Sequence, residues 1–147
     1  MPKYRSVWIA ATLAYCAVIF YLSSLPHLGE SPPFFLDWTG SDKLVHMILY
    51  GGLAGLVATG LIRSNGAALT RRALLFGPVI FATLYGASDE LHQWFVPPRS
   101  CDIFDLFADT IGATIVAGVI TGWKQHSTAS AVPDVLGSGN STGLPGD

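Results

Sequence analysis

Tyr85-Gly86-Ala87-Ser88-Asp89-Glu90-Leu91-His92-Gln93 is the stretch on which the fold turns. The apolar run before it, Ala73–Ala87, falls short of the roughly 20 residues that a membrane-spanning helix needs. It reaches that length only if the helix continues into the polar cluster around Asp89, and so it is read as a span over about 73–93. Three further apolar stretches approach span length without help, at about 7–25, 44–62 and 103–123.

Two other polar clusters border apolar stretches. They are Ser41-Asp42-Lys43-Leu44-Val45-His46 and Pro97-Pro98-Arg99-Ser100-Cys101-Asp102-Ile103-Phe104-Asp105. Ionisable groups at a membrane boundary are expensive, which makes such clusters candidates for function. Composition supports a membrane class. Of the 147 residues half are hydrophobic and 12% are charged, against about 25% charged in a typical soluble domain. The net charge of −2 gives no reason to expect nucleic-acid binding. The expected fold is all-α: a bundle of four transmembrane helices over residues 1–126. A tail over 127–147, rich in Ser, Gly, Thr and Pro, is expected to be disordered.

The first apolar stretch follows Lys3 and Arg5, as in a signal peptide. It is longer than a usual h-region and lacks an A-x-A site, so it is read as a retained helix. Positive charges then set orientation. Lys3, Arg5, Arg63, Arg71, Arg72 and Lys124 fall on one side of a four-span chain, while Lys43 and Arg99 fall on the other. Both termini are expected to be cytoplasmic. Glu30, Asp37, Asp42, Asp89, Glu90, Asp102, Asp105 and Asp109 belong to the outer half. The loop at about 26–40, with Phe34, Phe35 and Trp38, reads equally as an interfacial aromatic belt or a plain connector. Cys16 lies mid-span and Cys101 in a loop, too far apart to pair. Gly51-x-x-x-Gly55 and Gly118-x-x-x-Gly122 have the spacing of close helix packing. Pro78 is expected to kink the third span.

Helical spacing gives each cluster one face. Asp42, His46 and Tyr50 recur every four residues. Tyr85 and Asp89 are joined by either His92 or Gln93. Asp102, Asp105 and Asp109 stand at i, i+3 and i+7. Three polar faces at one level of a small bundle should seek one another, because lipid offers no partner. Arg99 has the planar fork that grips carboxylate or phosphate. It is expected to pair with Asp89, Glu90, Asp102 or Asp105.

Plainer readings stand beside these. Asp42 and Asp102 precede helices and suit N-capping. Glu90 reads more readily as a solvated residue than a chemical one. His46 reads equally as a hydrogen-bonded packing residue, and His92 as a group favoured by the helix C-terminus. Tyr50 and Tyr85 read first as packing residues, and Gln93 as an interhelical bond. A metal site could draw on His46, Asp89, His92 and the carboxylates of the fourth span, a donor set suiting zinc or manganese. There is no HExxH and no paired CxxC. No cofactor is therefore expected, with a divalent cation as the alternative. Asp89, Glu90 and His92 have the residue types of general acid–base catalysis.

At these clusters the chain resembles the VanZ-like family of small bacterial membrane proteins. The matching residues are Asp42-Lys43-x-x-His46-x-x-x-Tyr50, Asp89-Glu90-x-His92-Gln93-x-Phe95, Pro98-Arg99, Asp102, Asp105 and Gly112, with Ser23-Ser24-x-Pro26 before them. Coverage runs from about residue 20 to 118. Many relatives have Pro-Gly-Arg where this chain has Pro97-Pro98-Arg99, and often Asn in place of Asp109, a change that adds a charge here. The family takes its name from a protein that raises tolerance to teicoplanin, so the resemblance implies a cell-envelope setting; a resistance role here would be analogy alone.

The expectation is thus a multi-pass protein of the bacterial inner membrane with a polar pocket on its outer side. Its partner would be a membrane lipid or lipid-linked envelope component. Asp42, Lys43, His46, Asp89, His92, Gln93, Arg99 and Asp105 are the expected ligand-binding residues. Oligomeric state is not legible. The alternatives are a membrane-embedded hydrolase or transferase using Asp89 or Glu90 with His92, and a purely structural role for the clusters. A proton or cation pathway is disfavoured, since the cytoplasmic halves of the second and fourth spans lack ionisable residues.

Overall fold

The computed structural model describes residues 2–25, 41–65, 69–97 and 99–129. Among these residues the chain forms four helices and no strand: α1 (Pro2–Ser23), α2 (Ser41–Asn65), α3 (Arg71–Gln93) and α4 (Ile103–Ala129). The aromatic loop at about 26–40 and most of the tail expected to be disordered lie outside the described residues. Ser127–Ala129, placed in that tail by composition, belong to α4.

α1, α2 and α4 are each long and apolar enough to cross a membrane. α3 has 23 residues, and its charged ends Arg71-Arg72 and Asp89-Glu90 make it less apolar. It does continue through the decisive stretch to Gln93. Thr70 starts it by accepting the Ala73 N–H at its hydroxyl, an N-cap bond. Pro78 lies within the helix, buried.

The molecule is apolar outside. Leu13, Phe20, Ile48, Leu84, Ile115 and Val119 are among many large side chains left exposed, far more apolar surface than a water-soluble monomer shows. Inside, the helices touch through small residues. The core is built on Ala54, Ala82 and Ala113 around Cys16, Ile19, Tyr50 and Leu53. Lipid gives no hydrophobic drive between helices, so close backbone approach and dispersion take its place.

α2 and α4 form the most extensive seam, and glycines set its depth. A Cβ on Gly51 would lie 3.2 Å from the Gly112 carbonyl oxygen and 3.1 Å from Val116; one on Gly55 would lie 3.1 Å from Val116. A Cβ on Gly112 would run into the backbone of Met47. The Gly51/Gly55 pair therefore packs as its spacing predicts. Gly118 and Gly122 do not: a Cβ on either meets nothing within 4 Å, so that pair is not part of the described packing.

Cys16 is buried in α1 and Cys101 is exposed, and both are free thiols.

Candidate functional site

The C-terminal ends of α1 and α3 and the N-terminal ends of α2 and α4 meet at one end of the bundle. Bonds between the elements show it. Lys43 of α2 reaches α4, and His92 of α3 reaches Ser24 at the end of α1. The three polar clusters converge there.

Lys43 Nζ donates to three carboxylates, 3.0 Å to Asp42 Oδ2, 3.1 Å to Asp102 Oδ2 and 3.0 Å to Asp105 Oδ1. Asp102 caps α4 as well: its Oδ1 accepts the Phe104 N–H at 2.8 Å. The Phe104 amide, with Lys43 beside it, holds the Asp102 carboxyl below the usual carboxylate range. Capping and ion pairing are thus two roles of one side chain. Asp42 stays largely exposed on its Lys43 pair.

One turn deeper, His46 Nδ1 lies 2.9 Å from Asp109 Oδ1, both residues buried. His46 Nε2 faces Asp105 Oδ2 at 4.0 Å, too long for a hydrogen bond. The stack continues to Tyr50, whose ring is near-parallel to His46 with centroids 6.0 Å apart. The Tyr50 hydroxyl is buried without a hydrogen-bond partner of acceptable geometry. The faces read from spacing on α2 and α4 therefore do pack against each other, except that Asp42 turns outward.

α3 contributes Glu90, Asp89 and Gln93. Glu90 is only 3% exposed, which overturns the reading of a solvated residue. Its Oε2 accepts the Asp102 backbone N–H at 2.8 Å, and its Oε1 is buried with no partner. Asp89 Oδ2 accepts from Gln93 Nε2 at 3.1 Å. Gln93, not His92, continues the buried face of α3.

Arg99 departs from expectation. Its Nη1 donates to Gln93 Oε1 at 3.2 Å. Among the described residues no carboxylate lies within ion-pair reach of it, and Gln93 stands between it and Asp89. A neutral side chain has taken the place expected for an acid.

His92 faces away from this network. Its ring packs on Phe20 of α1 with centroids 4.4 Å apart, and its Nε2 lies 3.0 Å from Ser24 Oγ. Ser24 Oγ donates its one proton to the Phe20 carbonyl at 2.7 Å, so it accepts from the imidazole N–H. Glu90 and His92, two residues apart on α3, leave it toward α4 and α1 respectively. Residues at that spacing do not face each other, and these two do not meet as an acid–base pair.

Three contacts had no clear sequence signal. Asp109 orients His46; spacing put it on the polar face of α4 without naming its partner. Tyr15 donates to the Leu49 carbonyl at 3.2 Å and Tyr85 to the Cys16 carbonyl at 2.7 Å. A phenol in an apolar span hints at such a bond without naming the acceptor. As for metal ligation, His46, Glu90 and Asp105 offer atoms that all lie within 4.8 Å of one another; this grouping among the described residues includes Glu90, which the sequence grouping left out, and does not include Asp89 or His92.

The model of the family described as VanZ/LLP1 matches residues 8–124. No curated protein and no solved structure matches the chain.

Proposed function

The chain belongs to the VanZ/LLP1 family, and from that premise we propose that it binds the anionic head group of a membrane lipid or lipid-linked envelope component. In this reading it is a multi-pass protein of the bacterial inner membrane. The polar end faces outward, because Lys3, Arg5, Arg63, Arg71, Arg72 and Lys124 cluster at the opposite end and basic residues stay cytoplasmic.

The observation that carries the reading is the state of Arg99. It is half-buried beside the network, and among the described residues its side-chain bond is to a neutral amide oxygen. A guanidinium has five N–H donors, so the fork keeps donors for two oxygens of a phosphate or carboxylate. Lys43, by contrast, is already held by three carboxylates. Gln93, itself bonded to Asp89, holds Arg99 by its amide oxygen. Trp94, Phe95 and Phe104 are exposed at the same end, where aromatic side chains settle at the level of lipid head groups. A lipid-borne anion would thus meet Arg99 without leaving the membrane surface.

Native mass spectrometry of detergent-purified protein tests this. Wild type is expected to carry an anionic lipid that Arg99→Ala loses and Arg99→Lys retains in part, since lysine keeps the charge without the fork. Equal lipid content in wild type and Arg99→Ala would rule out the reading. If that lipid is an envelope precursor, an effect on glycopeptide tolerance follows for cells lacking the protein.

A further inference from the structure

We propose that His46, Glu90 and Asp105 bind one divalent transition-metal ion, zinc or manganese, with Asp109 as the positioning residue behind His46. The three come from α2, α3 and α4, so the ion would tie three helices at one point. Their donor atoms all lie within 4.8 Å of one another.

Each of the three has one polar atom engaged in holding it and one directed elsewhere. His46 gives Nδ1 to Asp109. With Asp109 ionised, the proton sits on Nδ1 and Nε2 keeps a lone pair. A carboxylate behind an imidazole in this way is the usual support of a metal-binding histidine, fixing its tautomer and orientation. Glu90 gives Oε2 to the Asp102 amide, leaving Oε1 buried and unpartnered. Asp105 gives Oδ1 to Lys43 and turns Oδ2 toward His46 Nε2.

Two observations speak against a network complete in itself. The first is the Glu90 Oε1 orphan, on a side chain 3% exposed. A buried, unsatisfied carboxylate oxygen costs more than a neutral one. The second is the 4.0 Å between His46 Nε2 and Asp105 Oδ2. An N–H···O bond would bring them to about 2.7–3.2 Å. Two donors about 2.0–2.2 Å from one tetrahedral ion stand about 3.3–3.6 Å apart. The His46–Asp105 pair, at 4.0 Å, is too wide for a hydrogen bond and would close by about half an ångström around a shared ion, and the widest span of the trio, at most 4.8 Å, by up to about 1.4 Å.

Charge points the same way. Among the described residues this end holds the carboxylates Asp42, Asp89, Glu90, Asp102, Asp105 and Asp109 against the permanent cations Lys43 and Arg99. An added dication reduces that excess. One imidazole with two carboxylates is a borderline donor set, which selects zinc or manganese over calcium and magnesium.

Binding can be measured without lipid, so this inference and the head-group reading fail independently. Chelator-stripped protein in detergent would be titrated with zinc chloride and manganese chloride by calorimetry. One ion per chain is expected. His46→Gln and Glu90→Gln should each weaken binding more than about 100-fold, and Asp109→Asn by about 10- to 100-fold, as loss of a supporting carboxylate does. Unchanged affinity in Glu90→Gln would overturn the site. So would an absence of saturable binding by wild type. A test needing no variant covers misfolding: pulsed electron paramagnetic resonance of the wild-type manganese complex. A nitrogen coupling from His46 is expected, and a manganese signal without one would overturn the proposal.

Discussion

Asp109 and His46 form a buried contact of 2.9 Å between α4 and α2, and Gly86 of α3 makes room for it. A Cβ at Gly86 would lie 2.5 Å from Asp109 Oδ2. The three helices therefore agree on one small volume: an acid, an imidazole and a missing side chain.

Asp109→Asn and Asp109→Leu should part company. Asn keeps an oxygen that accepts from His46 Nδ1–H, so its cost in stability is expected at about 1 kcal/mol or less. Leu removes the acceptor and leaves a buried imidazole N–H unpaired, at about 2–3 kcal/mol. Thermal unfolding in detergent would show the difference. Equal midpoints for the two variants would mean that the contact does not bear on stability.

The seam between α2 and α4 gives a contrast among glycines. Gly112→Ala would drive a methyl group into the Met47 backbone, and backbone cannot step aside as a flexible side chain can. The expected loss is about 1–3 kcal/mol, the range of overpacked cores. Gly118→Ala and Gly122→Ala meet open space and should be neutral or slightly stabilising, because Ala favours helix over Gly by about 1 kcal/mol. Unfolding curves for the three variants would rank them, and a destabilised Gly118→Ala would show a neighbour at that face.

These glycines also mark what was legible in the sequence. Span length and hydropathy give α1, α2 and α4, and the polar tail of the third stretch gives the rest of α3. Spacing gives the meeting faces of α2 and α4, because i, i+3, i+4 and i+7 positions line up on any helix. It does not give helix rotation or crossing, which come from contacts far apart in sequence. Gln93 rather than His92 faces inward because of how α3 turns against α4. Arg99 meets an amide instead of an acid for the same reason. Glu90 is buried because the loop before α4 presents the Asp102 amide to it, and no local pattern announces that. Likewise, two GxxxG patterns look alike on paper, and among the described residues only the one opposite Gly112 has a helix against it.

Asp102 sets a direction for acid sensitivity. The Phe104 amide and Lys43 hold its carboxyl below the ordinary range in the folded protein. A depressed folded-state value contributes stability above the unfolded-state value, about 3.9, and that contribution fades as pH falls through the folded-state value. Stability should therefore decline on acidification below about pH 4. Asp102→Asn, which still caps α4, should flatten part of this decline. Unfolding midpoints across an acid pH series would read it, and an unchanged slope in Asp102→Asn would remove Asp102 from the account.

The two free thiols report orientation. Cys101 is exposed beside the polar end, and Cys16 is buried between helices in the apolar span. In the proposed topology Cys101 faces the outside of the inner membrane. A membrane-impermeant maleimide added to intact spheroplasts should label the wild type, and Cys101→Ser should abolish that labelling. Cys16 should react only after detergent unfolding, since reaction needs both access and a thiolate, and burial withholds both. A control with an engineered cysteine near Arg72, at the opposite end of α3, should label only after the membrane is opened. Labelling of the Arg72 position in intact spheroplasts, with Cys101 protected, would invert the topology and move the Arg99 site to the cytoplasmic leaflet.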